Sequence, residues 1–307
     1  SWSIVPRGGI VDEETLLDML DSGHLAGAAL DVFAEEPPTD WRLAGHDNVV
    51  ATPHLGAQTE EAQVRISTQT AQMVVAALEG SLAVTAVNLP FRPAGAQGEP
   101  YLRLAEKLGL LASTLADGAP DRLDVVFHGL DDGLHVPVTV AAIKGALVRS
   151  LGVGVNYVNA ESVARERGLD VRRSVTERAA GYPNLLEVRL EAGGKTVSTV
   201  GTLFHGQEAR VVGVAGYNLE FRPKGELLIV QNRDVPGVVG KLGTLLGAAG
   251  VNIAEIHLAR RAGNDDSVEA GALAVVRLDQ ALDVEVVALV QAMDEVVRAD
   301  ALDIGDP

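Results

Sequence analysis

Three side chains in the first sixty residues form a set that can do chemistry together: Arg7 in R-G-G-I-V-D-E, Glu36 in D-V-F-A-E-E-P and His54 in T-P-H-L-G. A guanidinium clamps a carboxylate through two parallel hydrogen bonds. An imidazole exchanges a proton with a hydroxyl near neutral pH. A carboxylate bonded to the second ring nitrogen fixes the tautomer of that imidazole. Each residue alone reads as a solvated or structural side chain. Together they could clamp a carboxylate and exchange a proton with a hydroxyl.

The elements that must position this set read as alternating α/β. Val11-Asp12-Glu13-Glu14 followed by Leu16, Leu17 and Leu20 has helical spacing, acidic residues in its first turn and Gly23 as a stop. Leu25 to Val32 is an almost continuous small-apolar run, as expected of a strand covered on both faces of a parallel sheet. Asn48–Thr52 is a second short strand closed by Pro53, and 59–78 is an amphipathic helix without internal Gly or Pro. Arg7, Glu36 and His54 each follow a strand or stand at a strand–helix junction. They are therefore expected on one rim, at the carboxyl ends where open parallel sheets hold ligands.

Residues 90–100, with Pro90, Pro93, Gly95, Gly98 and Pro100, have the composition of a linker. Beyond it, helices over 101–117 and 138–151 mix with strands such as 123–127, and 185–222 reads as an antiparallel meander turning at Gly193-Gly194. After Pro223 the order becomes strand 227–231, helix 238–249, strand 252–259, hairpin loop 263–266, strand 270–278, helix 284–293 and strand 297–304. That is β-α-β-β-α-β, the ferredoxin-like order.

Composition narrows the function classes. With 25 Lys and Arg against 42 Asp and Glu the net charge is −17, which disfavours nucleic acid and anionic membrane surfaces as partners. No run approaches 18 consecutive apolar residues, so no membrane span is expected. Cysteine is absent, which removes disulfides, thiolate nucleophiles and Cys-ligated metals and agrees with a cytoplasmic location. The histidines are scattered singly without an H-E-x-x-H pattern, so no metal site is expected. Gly152-Val153-Gly154 fails as a dinucleotide fingerprint because Tyr157 takes the third small position. Gly194-Lys195-Thr196 fails as a phosphate loop because Arg189 replaces its first glycine, and a hairpin turn is expected there. Asp131-Asp132-Gly133 lacks the other calcium-loop ligands and reads as a turn.

The run from R-G-G-I-V-D-E through G-H-L-A-G-A-A-L-D-V-F-A-E-E-P-P to N-V-V-A-T-P-H-L-G resembles the D-isomer-specific 2-hydroxyacid dehydrogenases, in their long form with an intervening domain and a C-terminal ACT domain. The resemblance covers residues 4–305. It implies a multidomain α/β and α+β chain: the C-terminal part of a Rossmann-type nucleotide-binding domain over 1–94, an α+β intervening domain over 95–223, and a ferredoxin-like βαββαβ ACT domain over 224–307. It further implies that His54 is the acid/base, Glu36 its partner and Arg7 the ligand of the substrate carboxylate. Asp31 would face the nicotinamide carboxamide, with Arg7 and His54 beside the cofactor. The implied reaction is NAD-dependent oxidation of the C2 hydroxyl of 3-phospho-D-glycerate, at the entrance to L-serine synthesis.

The same resemblance gives Asn232-Arg233-Asp234-Val235-Pro236-Gly237 and Gly250-Val251-Asn252-Ile253 as an effector edge for L-serine. Asp234 could accept from an α-ammonium, the helix start near Gly237 favours a carboxylate, and Asn252 both donates and accepts. The alternative is that Pro236-Gly237 and Gly250 merely punctuate a helix and Asn252 caps a turn. Arg210 and Arg222 fall at basic positions of an anion site in the intervening domain, although Asn218 stands where relatives can have His. ACT modules pair edge to edge, so a homo-oligomer is expected.

Two departures qualify the resemblance. Ile4-Val5-Pro6 replaces the usual Asn-x-Ala/Ser before R-G, and no G-x-G-x-x-G loop is present to cradle a pyrophosphate. The expectation is therefore an N-terminally truncated enzyme whose 1–307 stretch alone neither binds NAD tightly nor turns over substrate. The alternative is a free-standing serine-sensing regulatory protein without catalysis.

Overall fold

The computed structural model describes residues 4–5, 7–78, 86–92, 95–176, 181–260 and 271–305. The chain divides into two compact units, 1–75 and 76–307.

In the first unit, β1 (Ile4–Val5), β2 (Ala28–Leu30) and β3 (Val49–Ala51) form a parallel sheet in the order β1-β2-β3, with α1 (Glu13–Asp21) crossing between β1 and β2. Asp12 caps α1 by accepting from the Thr15 N–H, and Glu13 and Glu14 fill its first turn. Leu20, Ala28, Leu30, Phe33 and Leu43 form the small core. The central strand is shorter than the 25–32 run suggests. Leu25 is committed elsewhere, because its N–H closes the end of α1 on the Met19 carbonyl. Helix α2 (Glu60–Leu78) follows β3 and buries none of its residues.

The second unit opens with a correction. Residues 95–100 are not linker but the start of α3 (Gly95–Leu115), and Pro100 lies inside the helix. Burial of Gly98, Pro100, Leu102, Leu104 and Leu108 against the domain core outweighs the poor local propensity. A six-stranded sheet runs β5-β4-β6-β7-β8-β9, made of β4 (Pro120–His128), β5 (Asp170–Thr176), β6 (Leu185–Ala192), β7 (Lys195–Phe204), β8 (Glu208–Val214) and β9 (Tyr217–Phe221). The expected 185–222 meander is β6 to β9, and Gly193-Gly194 turns with positive φ at both positions. Strand β5, parallel to β4, and α5 (Ala160–Glu166) have no counterpart in the sequence reading.

Helix α4 (His135–Leu151) packs on α3 so closely that a Cβ at Gly145 would stand 1.9 Å from the Glu106 carbonyl oxygen. With its preceding turn, α4 is long and apolar enough to cross a membrane, but 137–147 are buried within the domain. Residues 132–134 form a 3-10 turn with Asp131 as its cap.

The last module has β10 (Glu226–Arg233), α6 (Val238–Ala248), β11 (Ile253–Arg260), β12 (Gly271–Leu278), α7 (Val284–Gln291) and β13 (Val296–Asp303), with antiparallel order β11-β12-β10-β13. The expected hairpin loop 263–266 lies outside the described residues. Alternation along β10 divides its side chains between two faces. Leu228 and Val230 pack with Leu242, Leu246 and Val290 of the helices. Leu227 and Ile229 join the core of the intervening domain. Arg298 reinforces that contact from β13, donating to the Thr114 and Leu115 carbonyls at the end of α3 and to Asp117.

Candidate active site

Parallel pairing of β1, β2 and β3 brings their carboxyl ends together. Asp31 follows β2 directly, and its carboxylate organises the loop that leaves β3. Oδ1 accepts from the Thr52 hydroxyl at 2.5 Å and the Leu55 N–H at 2.7 Å, and Oδ2 accepts from the Gly56 N–H at 2.8 Å. The His54 N–H donates to the Asp31 and Thr52 carbonyls, both at 3.0 Å. These bonds hold His54 at φ +54°, a left-handed conformation that side-chain-bearing residues adopt only when their surroundings enforce it. The hydroxyl of Thr52 and the N–H groups of Leu55 and Gly56 keep the Asp31 carboxyl below its usual value.

Glu36 arrives on the loop after β2. Its Oε1 accepts from the Phe33 N–H at 3.1 Å, and its Oε2 lies 2.8 Å from His54 Nδ1. The His54 bond first, then the Phe33 N–H, lowers the Glu36 carboxyl from its usual value. With Nδ1 engaged and the side chain 60% exposed, Nε2 is the imidazole atom open to a substrate. Asp31, Glu36, Thr52 and His54 line a pocket of about 350 Å³ whose apolar wall includes Phe33 and Trp41. An apolar cleft beside one proton-transfer group can take a pyridine ring. Three of the roughly four acceptor positions of Asp31 are taken, leaving one on Oδ2 open to a further donor. Among the described residues, then, the chemistry present fits the nicotinamide end of a dinucleotide.

Arg7 follows β1, exposed and without a hydrogen bond or ion pair to another described residue, and it does not line this pocket. Its neighbour Gly8 fixes the segment: a Cβ there would stand 2.2 Å from the Phe33 carbonyl oxygen. Sequence reasoning missed Thr52, Gly56 and Trp41. The Thr and Gly lie within the T-P-H-L-G motif, where Thr52 reads only as the end of a strand.

In the last module, Asn232 and Asp234 line a groove of about 750 Å³ at the start of α6, joined by Arg260. Asn232 is buried and donates to the Arg233 carbonyl, and Asp234 pairs with Arg260 at 2.7 Å. Asn252 does not line that groove; its side-chain amide donates to Asp279 at 2.6 Å. Arg210 and Arg222 do come together, on a second cleft shared with Arg103, Lys107 and Lys224. Among the described residues no group of His, Asp and Glu is placed to hold a metal ion.

Residues 5–56 match the NAD-binding domain of the D-isomer specific 2-hydroxyacid dehydrogenases, and residues 98–215 match the D-3-phosphoglycerate dehydrogenase intervening domain. The D-3-phosphoglycerate dehydrogenase of Synechocystis sp. is 40% identical over 268 residues, 86% of this chain and 48% of the relative. That of Bacillus subtilis is 34% identical over 303 residues, covering 97% and 56% respectively. That of Mycobacterium tuberculosis is 36% identical over 301 residues, again covering 97% and 56%. The chain thus spans about half the length of the curated relatives it matches. By both domain matches and these identities, the chain carries an NAD-binding domain of the D-isomer-specific 2-hydroxyacid dehydrogenases over 5–56 and a D-3-phosphoglycerate dehydrogenase intervening domain over 98–215.

Proposed function

We propose that residues 1–307 are the C-terminal part of an NAD-dependent dehydrogenase that oxidises 3-phospho-D-glycerate to 3-phosphooxypyruvate, a cytoplasmic step at the entrance to L-serine synthesis. The observation that carries this reading is the 2.8 Å contact between His54 Nδ1 and Glu36 Oε2, which leaves Nε2 as the proton acceptor. When bound, NAD supplies the hydride acceptor. The chain's own residues do the rest. Arg7 clamps the substrate carboxylate, and Asp31 and the apolar wall with Trp41 seat the nicotinamide end. His54 Nε2 takes the C2 hydroxyl proton, and Glu36 stabilises the imidazolium that results. No G-x-G-x-x-G loop lies within these residues, so 1–307 alone is expected to be inactive.

The modules divide as 1–94, 95–223 and 224–307, the last being an ACT domain. Its groove at Asn232 and Asp234 supports L-serine as feedback effector, with Asn252 a more distant participant. Arg210 and Arg222 form the anion site of the intervening domain. The edge strand β11 supports pairing between copies in a homo-oligomer. The test is a dehydrogenase assay with NAD and 3-phosphoglycerate on the protein purified from its source cells, with its intact mass measured alongside. NADH formation by a species heavier than these 307 residues supports the enzyme. An inactive species of the mass of 1–307 that still binds L-serine supports the second reading, a free-standing serine sensor. That reading is favoured by the missing glycine loop alone.

A further inference from the structure

The cleft between α3 and β8 is an electrostatic exception on this chain. Against a net charge of −17, its lining gathers Arg103, Lys107, Arg210, Arg222 and Lys224. Its volume of about 240 Å³ suits a small anion rather than a polymer. Glu208 is the only carboxylate among the lining residues. Its Oε2 accepts from Arg210 Nη2 at 3.0 Å and from Arg222 Nη2 at 3.3 Å, so one oxygen occupies the point on which two guanidinium groups converge. Other acids lie further out: Glu220 stands 3.4 Å from Arg210 Nε, and Glu99 pairs with Arg103. Lys107 is committed to the carbonyls of Pro223 and Gly305, which ties the cleft to the end of the last strand.

We infer that Glu208 is a built-in counter-ion that occupies the anion cleft and is displaced when a phosphomonoester binds Arg210 and Arg222. The inference rests on the anion-site reading above and adds its regulation. A phosphate offers three acceptor oxygens and up to two charges where the carboxylate offers one of each to this pair, so it satisfies both guanidinium groups better. Glu208 is free to leave. It is the first residue of β8, 54% exposed, and follows the turn at His205 and Gly206, both at positive φ. Rotation of one side chain opens the cleft without moving the sheet.

The test is calorimetric titration of the 307-residue chain with inorganic phosphate at constant ionic strength, on the parent, Glu208→Gln, Glu208→Ala and Arg222→Ala, each checked by circular dichroism. Both Glu208 variants are expected to bind about tenfold more tightly than the parent, or about 1.4 kcal/mol. Arg222→Ala is expected to weaken binding. Equal or weaker binding by both Glu208 variants, with Arg222→Ala still weakening it, would overturn the counter-ion role and leave the anion site standing. Absence of binding in parent and Glu208 variants alike would overturn the anion site and the counter-ion together.

Discussion

The Asp31 carboxylate and the Gly56 amide meet at 2.8 Å, and a Cβ at position 56 would come within 2.9 Å of the same Asp31 oxygen. The loop that presents His54 is therefore anchored on this carboxylate, and an alanine at position 56 would have to displace it. Gly56→Ala should push Asp31 away from the loop. Amide exchange at Leu55 is expected to quicken about tenfold, a loss of about 1.4 kcal/mol. Unchanged exchange would mean that the loop is held by something else.

The same bonds fix a pH dependence. Asp31 is lowered in the folded protein, so its contribution to the loop is complete above the usual aspartate value of about 3.9 and is lost as pH falls through the lowered one. The amide signals of Leu55 and Gly56 should titrate together with a midpoint below about 3.9. A midpoint at or above that value would contradict the arrangement, and Asp31→Asn should abolish the titration.

Glycines in two helices should respond in opposite ways to alanine. At Gly145 of α4 the added carbon meets the Glu106 carbonyl at 1.9 Å, backbone against backbone, so Gly145→Ala should cost about 3 kcal/mol in urea unfolding. At Gly243 of α6 nothing lies within 4 Å, and Gly243→Ala should stabilise by about 0.5–1 kcal/mol. Equal effects at the two sites would show that the α3–α4 crossing is looser than described.

Arg298 joins the last module to the intervening domain through one guanidinium. It donates to Thr114 O at 2.9 Å and to Leu115 O and Asp117 at 2.8 Å each, while holding Asp300. Arg298→Ala should cost about 2 kcal/mol in urea unfolding. Arg298→Lys should recover little, because an ammonium cannot reproduce the planar fork. Full recovery by lysine would reduce the contact to simple charge.

Much of this was legible in the residues. Strand–loop alternation placed Glu36 and His54 at neighbouring strand ends, and apolar patterning gave the β-α-β-β-α-β order after Pro223. What stayed hidden depended on partners distant in sequence. The 95–100 segment looks like linker because Gly98 and Pro100 disfavour helix locally, yet their burial decides the outcome. Leu25 looks like strand but closes α1. Strand β5 is exposed at nearly every position and gains its place from pairing with β4 rather than from an apolar pattern. The role of Asp31 as loop anchor needed Thr52, Leu55 and Gly56 in view together, more than twenty residues away. Glu208 carries no signal in the sequence, because its place depends on Arg210 and Arg222 converging on it.

The most direct test concerns His54 itself. The native protein and its His54→Asn and Glu36→Gln variants should be compared for NADH formation from NAD and 3-phosphoglycerate. Loss of the imidazole should lower kcat by about 10³-fold, with a smaller loss on replacing Glu36. Retention of the parent rate by His54→Asn would contradict proton transfer at Nε2 and, with it, the dehydrogenase reading of this site.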